Sequence, residues 1–148
     1  METPASVAKH PIHPMLVGIP IGLWIFSLIC DLLSLLPHAS EHWRIAAFYS
    51  MAGGLVGAFI AAVPGLIDML SLPKGLKNIA LIHMALNLTV IVLYVVNFWL
   101  RAHGWESMMP LWLSIAAILL LGGSGWLGGK LVYEHGVGVQ MPPVPPPQ

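Results

Sequence analysis

Residues 76–100 read LKNIALIHMALNLTVIVLYVVNFWL, and this stretch decides the fold. It has one charged residue, Lys77, near its start. A helix that crosses a bilayer takes about 20 mostly apolar residues, so the stretch is long enough to span. The whole chain is 57% hydrophobic and 8% charged, whereas a soluble domain has roughly 25% charged residues. The sequence therefore predicts an integral membrane protein.

Three more segments have the length and apolar character of a membrane span, namely residues 15–37, 43–70 and 109–132. The separators between the four segments are short, and each contains or directly follows a proline or glycine. Consecutive helices should therefore run antiparallel. We predict an all-α fold, a four-helix transmembrane bundle with up-down topology, over residues 1–140. Residues 141–148, MPPVPPPQ, cannot form a helix and are predicted to be a proline-rich disordered tail.

The charged residues indicate which partners the chain can bind and how it is oriented in the membrane. The formal net charge is +0 with no basic block, which argues against a nucleic-acid surface. An even number of spans puts both termini on one side of the membrane. That side holds four lysines and the other side two arginines, namely Lys9, Lys74, Lys77 and Lys130 against Arg44 and Arg101. For a multi-pass protein of the bacterial inner membrane, the positive-inside rule then predicts cytoplasmic termini.

Small residues at steps of four predict where helices pack closely, because lipid offers no hydrophobic drive for helix pairing. The second span carries a ridge of this kind, formed by Gly53, Gly57, Ala61 and Gly65. The first span has Gly18 and Gly22, and the fourth has Gly125 and Gly129. We expect all three spans to use these glycines in helix contacts.

Polar residues on two spans follow helical spacing. On the third span the face is formed by His83, Asn87, Val90, Tyr94, Asn97 and Arg101. On the first span it is formed by Trp24, Ser27, Asp31 and Ser34, and it extends backward through Pro20 and Val17 to His13. Polar groups in lipid normally face the bundle interior. We expect both stripes to line the bundle axis.

Ionisable residues from all four helices converge at the end of the bundle that holds the termini. The candidate metal ligands there are His10, His13, Asp68, His83 and His135. Histidine in a membrane bundle ligates haem iron, coordinates a transition metal or relays protons. His83 is roughly 10 Å inside its span at 1.5 Å per residue. It is either a ligand or proton-active group, or a member of an interhelical hydrogen bond.

Other candidates have plainer interpretations as well. His10 and His135 fit interfacial residues in headgroup water, and His13 between two prolines fits a rigid entry turn. Asp68 is either functional or a neutral group that bonds a helix end. For haem, we predict axial ligation by His13 and His83, with His135 as the substitute ligand. His13 lies near the interface, whereas His83 lies well inside its span. Joint ligation therefore requires the start of the first helix to lie deeper in the membrane than a span of residues 15–37 places it.

Two terminal motifs resemble a known family. They read HPIHPMLVGIPIGLW over residues 10–24 and GGKLVYEHGV over residues 128–137, and they accompany Asp68, His83 and Asn87. Residues 8–139 together resemble the bacterial membrane family called domain of unknown function 2231. The resemblance implies a four-helix membrane domain. It also implies relatives that are neighbours or fusion partners of cytochrome c and Rieske-type modules, which favours electron transfer.

We predict a small integral membrane protein that binds haem b and transfers electrons to or from redox partner proteins. Phosphate loops, serine-nucleophile elbows and dinucleotide fingerprints are missing from the sequence, so we do not expect an enzyme by itself. The alternative is a non-enzymatic scaffold subunit, or a small permease with a polar or proton-active axis. The sequence leaves a homo-oligomer open.

Overall fold

The computed structural model describes residues 3–104 and 107–139, and their fold is a four-helix bundle. The helices are α1 (Ile12–Leu16), α2 (Gly18–Leu33), α3 (His42–Ser71), α4 (Lys74–Ala102) and α5 (Met109–Tyr133). Four spans are long and apolar enough to cross a membrane, α1 and α2 together forming the first. The predicted all-α up-down bundle is confirmed. The predicted tail at residues 141–148 lies outside the described residues.

The first span differs from its predicted bounds. It begins at Ile12 rather than Met15 and ends at Leu33 rather than Pro37. A break at Val17 separates α1 from α2. Pro20 has no N–H to donate to the carbonyl of Leu16, which explains an interruption at this place. His13 therefore lies inside the first helix rather than before it.

A short β-hairpin precedes the bundle, and the sequence reasoning did not foresee it. β1 (Ser6–Val7) pairs antiparallel with β2 (His10–Pro11). The two turn residues have positive φ angles, 48° at Ala8 and 66° at Lys9, as a two-residue turn of type I′ requires. The backbone N–H of Ala5 donates to Asp68 Oδ1 at 2.9 Å. This bond attaches the N-terminal segment to the end of α3.

The four spans are arranged as two antiparallel hairpins that pack side by side. The main contacts join α2 to α3 and α4 to α5, and smaller ones join α3 to α4 and α2 to α5. The first and third spans therefore run parallel and face each other across the bundle axis. Their interior is formed mainly by Trp24, Met51, Val90, Tyr94 and Ala117. Large apolar side chains such as Val63 and Leu119 point outward, as lipid contact requires.

The small-residue ridge on α3 is confirmed as a packing surface against the first span. A Cβ atom at Gly57 would lie 3.2 Å from both Ile19 and Pro20, and one at Gly54 would overlap the indole of Trp24. The expectation for the other two spans was wrong. At Gly129 the nearest atom to such a Cβ is on Tyr133 of its own helix, at 3.8 Å, and around Gly18, Gly22 and Gly125 no atom of another helix lies within 4 Å. These three glycines lie on exposed helix surface, because spacing by four does not determine which face turns inward.

Candidate functional site

The two polar stripes meet along the bundle axis, as predicted. Three pairs of side chains face each other across it. In each pair the residue on the third span is 70 positions later in the sequence than the residue on the first span. The pairs are His13 with His83, Trp24 with Tyr94, and Asp31 with Arg101. The constant offset follows from two parallel helices that keep the same rotation and depth.

His13 is held on the α3 backbone. Its Nδ1 atom lies 2.8 Å from the carbonyl oxygen of Ala61. A carbonyl can only accept, so Nδ1 carries the proton and Nε2 presents a lone pair. A Cβ at Gly65 would lie 2.7 Å from the ring of His13. Glycine at that position allows the imidazole to lie directly on the helix backbone.

His83 is held on the α5 backbone in the same way. Its Nδ1 atom donates to the carbonyl of Ser124 at 2.9 Å, so its Nε2 is also an acceptor. The amide nitrogen of Asn87 has two hydrogens and three neighbouring acceptors. These are the carbonyl of His83 at 2.9 Å, the hydroxyl of Ser124 at 2.7 Å and the Nε2 of His83 at 3.2 Å. The Asn87 amide therefore borders the Nε2 lone pair of His83 as well as binding Ser124.

The two imidazoles form one site. Their ring centroids are 6.4 Å apart and their planes are nearly perpendicular, at 87°. Both rings are half-buried. Each presents a lone pair on Nε2 and fixes its other nitrogen on a helix carbonyl. The pair offers two imidazole nitrogens to a metal centre, and at this separation they are too far apart to share one proton directly.

The other predicted site residues lie around this end of the bundle without a contact to the pair. His10 is exposed and bonds the carbonyl of Ala8 in its own hairpin turn. Asp68 is buried and accepts from Ala5. His135 has a buried Nε2 for which the described residues offer no hydrogen-bond partner. In residues 3–104 and 107–139, no three His, Cys, Asp or Glu side chains are grouped closely enough to hold a metal ion.

An ion pair at the opposite end of the axis is a feature that the sequence reasoning missed. Arg101 contacts both carboxylate oxygens of Asp31, at 2.7 and 2.6 Å. Asn97 accepts from Arg101 Nε at 2.8 Å and donates to the hydroxyl of Ser114 at 2.8 Å. The residue spacing contained the signal, since His13 to Asp31 and His83 to Arg101 are equal steps along two parallel helices.

An apolar layer separates the two polar ends of the axis. Val90 is fully buried and Pro20 is buried on the facing span. Next to them Trp24 and Tyr94 stack with their ring centroids 4.3 Å apart. The hydroxyl of Tyr94 is buried and has no hydrogen-bond partner among the described residues. The described side chains therefore provide no continuous polar path from the histidines to the ion pair.

Comparison with known proteins places the chain in one family. The family model described as "Predicted membrane protein (DUF2231)" matches residues 9–141. No curated protein and no solved structure matches the chain. Together with the four apolar spans, the family match identifies a multi-pass integral membrane protein.

Proposed function

We propose, for a chain that belongs to the DUF2231 family of predicted membrane proteins, that it binds one haem b between His13 and His83 and transfers electrons in the membrane. The main observation in support of this proposal is the separation of 6.4 Å between the centroids of the two imidazole rings. Two imidazoles that bind one metal through Nε2 have centroids about 6 Å apart, given metal–nitrogen bonds of about 2.0 Å. His13 and His83 would therefore be close enough to hold one iron between them.

The hydrogen bonds of the two rings support ligation through Nε2. Metal-binding histidines commonly donate their other N–H to a carbonyl or carboxylate, which fixes the tautomer and increases the basicity of the ligand. His13 donates to Ala61 and His83 donates to Ser124 in this manner. These bonds orient both rings before any metal arrives.

Two imidazole ligands match the number that haem iron takes from a protein better than the number that a metal ion without a porphyrin takes. A structural or catalytic zinc site takes three or four protein ligands, whereas haem iron takes one or two, because the porphyrin supplies the others. Haem, when bound, supplies one-electron redox chemistry. His13 and His83 would hold the iron, and Gly65 and Gly128 let the rings lie against the flanking helices. His135 is the proposed substitute ligand, since its buried Nε2 has no partner within the described part of the chain.

A scaffold subunit is the second candidate function, and the Asp31–Arg101 pair favours it. An ion pair that joins the first and third spans fixes how they assemble. The permease version has less support, because the layer of Val90 and Pro20 interrupts the polar axis. Under the scaffold proposal the histidines would serve only as interhelical hydrogen-bond groups.

The orientation in the membrane belongs to the same proposal. Lys9, Lys74, Lys77 and Lys130 favour cytoplasmic termini in a bacterial plasma membrane. The His13–His83 pair lies at the end of the bundle that holds the termini. Redox partner proteins would then approach from the cytoplasmic side.

Haem titration of the purified protein tests the proposal. Protein expressed with ample haem should show a Soret band, and haem-free protein should bind haem until one equivalent is taken up. Elemental analysis of the same sample measures iron and other metals. A protein that is colourless, free of metal and unable to take up haem would overturn both the haem and the metal proposals. The scaffold function would then be favoured.

A further inference from the structure

The outer surface of α5 carries a groove near the terminal end of the bundle. Its volume is about 250 Å³ and it is lined by Trp126, Gly129, Lys130, Tyr133 and Glu134. Trp126 is 69% exposed and Tyr133 is 89% exposed, so the groove opens away from the protein. Four of these residues lie in the last turns of α5, a candidate membrane span, and Glu134 directly follows it. The groove is therefore expected to face lipid, at the depth of the headgroups.

Two opposite charges, Lys130 and Glu134, lie in this groove, and both can form further hydrogen bonds. Lys130 Nζ is 3.6 Å from Glu134 Oε2, whereas a charge-assisted hydrogen bond between such groups measures about 2.7–2.9 Å. The Lys130 side chain is 33% exposed and that of Glu134 is 58% exposed. The ammonium also lies 5.7 Å from the centre of the Trp126 ring. A ligand with a negative and a positive group can reach both charges.

We propose that this groove binds the headgroup of an ethanolamine phospholipid. Its phosphate would accept from Lys130 and its primary ammonium would donate to Glu134. A choline headgroup carries no N–H to donate, and a glycerol headgroup brings no positive charge to Glu134. Gly129 forms the floor, because it leaves the space between Trp126 and Tyr133 unfilled. The proposal uses none of the residues of the histidine site and does not depend on haem.

Native mass spectrometry of the full chain tests the preference. The protein is equilibrated in nanodiscs that contain equal amounts of phosphatidylethanolamine, phosphatidylcholine and phosphatidylglycerol, and retained lipid is counted after release. The wild type should retain phosphatidylethanolamine above the other two. Lys130→Gln should reduce this retention about fivefold, the contribution of one lysine at a lipid surface. Glu134→Gln should abolish the preference over phosphatidylglycerol.

Two further variants separate the groove from general surface charge. Gly129→Leu should reduce retention with both charges in place, because its side chain fills the floor. Lys74→Gln removes an exposed lysine at the same end of the bundle, and it should leave retention unchanged. Equal retention of the three lipids by the wild type would overturn the proposal. Unchanged retention in folded Gly129→Leu and Lys130→Gln would overturn it as well.

Discussion

Arg101 binds Asp31 with two hydrogen bonds, from Nη1 to Oδ1 at 2.7 Å and from Nη2 to Oδ2 at 2.6 Å. The guanidinium side chain is 14% exposed and the carboxylate side chain 9%. Each charge is therefore removed from water and neutralised by the other. This pair joins the first span to the third, as the stack of Trp24 on Tyr94 and the His13–His83 pair also do.

Breaking the ion pair should destabilise the bundle strongly. In Asp31→Asn the guanidinium of Arg101 stays buried without a counter-ion, so we expect a loss of about 3–5 kcal/mol in the free energy of unfolding. Denaturant titration in detergent micelles measures it. The double variant Asp31→Leu/Arg101→Met should recover much of that loss, because both charges are gone. A double variant that is no more stable than Asp31→Asn would contradict this interpretation.

The contact between α2 and α3 should be sensitive to one added methyl group. In Gly54→Ala the new Cβ overlaps the indole of Trp24, and overpacking of this kind costs about 1–3 kcal/mol. Gly57→Leu should cost more, since Ile19 and Pro20 already lie 3.2 Å from the position of a Cβ. Thermal unfolding in detergent is the measurement. Gly122→Ala is the matched control, with no described atom within 4 Å, and it should behave as wild type.

Removal of either histidine of the pair should change the haem spectrum. We expect His83→Ala to lose the Soret band while the protein still inserts, since alanine is accepted in a span. His13→Ala should either lose the band or convert a six-coordinate spectrum to a five-coordinate one, because it would supply the second axial ligand. His103→Ala is the control, since His103 is exposed and bonds the carbonyl of Trp99. A haem spectrum that survives both axial variants unchanged would refute this site.

The hydroxyl of Tyr94 should be dispensable for stability. It is buried and has no partner in the described structure, so folding removes it from water without a compensating bond. Tyr94→Phe keeps the stack on Trp24 and should leave the melting temperature unchanged or slightly higher. Tyr94→Ala should lose about 3 kcal/mol through the cavity that it creates. Equal losses in both variants would mean that the phenol oxygen has a partner such as a buried water.

The orientation of the bundle can be tested with reporter fusions. We expect a reporter inserted near Ala39 and one attached after Gln148 to report opposite sides of the membrane, with the second one cytoplasmic. The reason is the excess of lysine on the side of the termini. Alkaline phosphatase and green fluorescent protein fusions make the measurement. A periplasmic C-terminus would invert the proposed map.

The sequence determined the spans and the inward faces, and it did so for a simple physical reason. Helical periodicity places His83, Tyr94 and Arg101 on one face, and the cost of polar groups in lipid turns that face inward. Periodicity does not say which residue of another helix lies opposite. The pattern therefore places Arg101 on the inward face without showing that Asp31 is its partner.

The glycines and the hairpin were harder to predict, for other reasons. A glycine gives no polarity signal, so Gly18 and Gly22 could not be assigned to the lipid side by spacing alone. The turn of the hairpin uses Ala8 and Lys9 at positive φ. Neither residue type favours that conformation, and the sequence therefore carries no turn signal there.

The cross-axis pairing has a consequence for biosynthesis. Arg101 follows Asp31 by 70 residues, and a ribosome that adds 5–20 residues per second needs about 4–14 s for that length. During this interval the first hairpin is made while the guanidinium that neutralises its carboxyl does not yet exist. The first span and its carboxylate are therefore presented to the insertion machinery before their partner on the third span has been made.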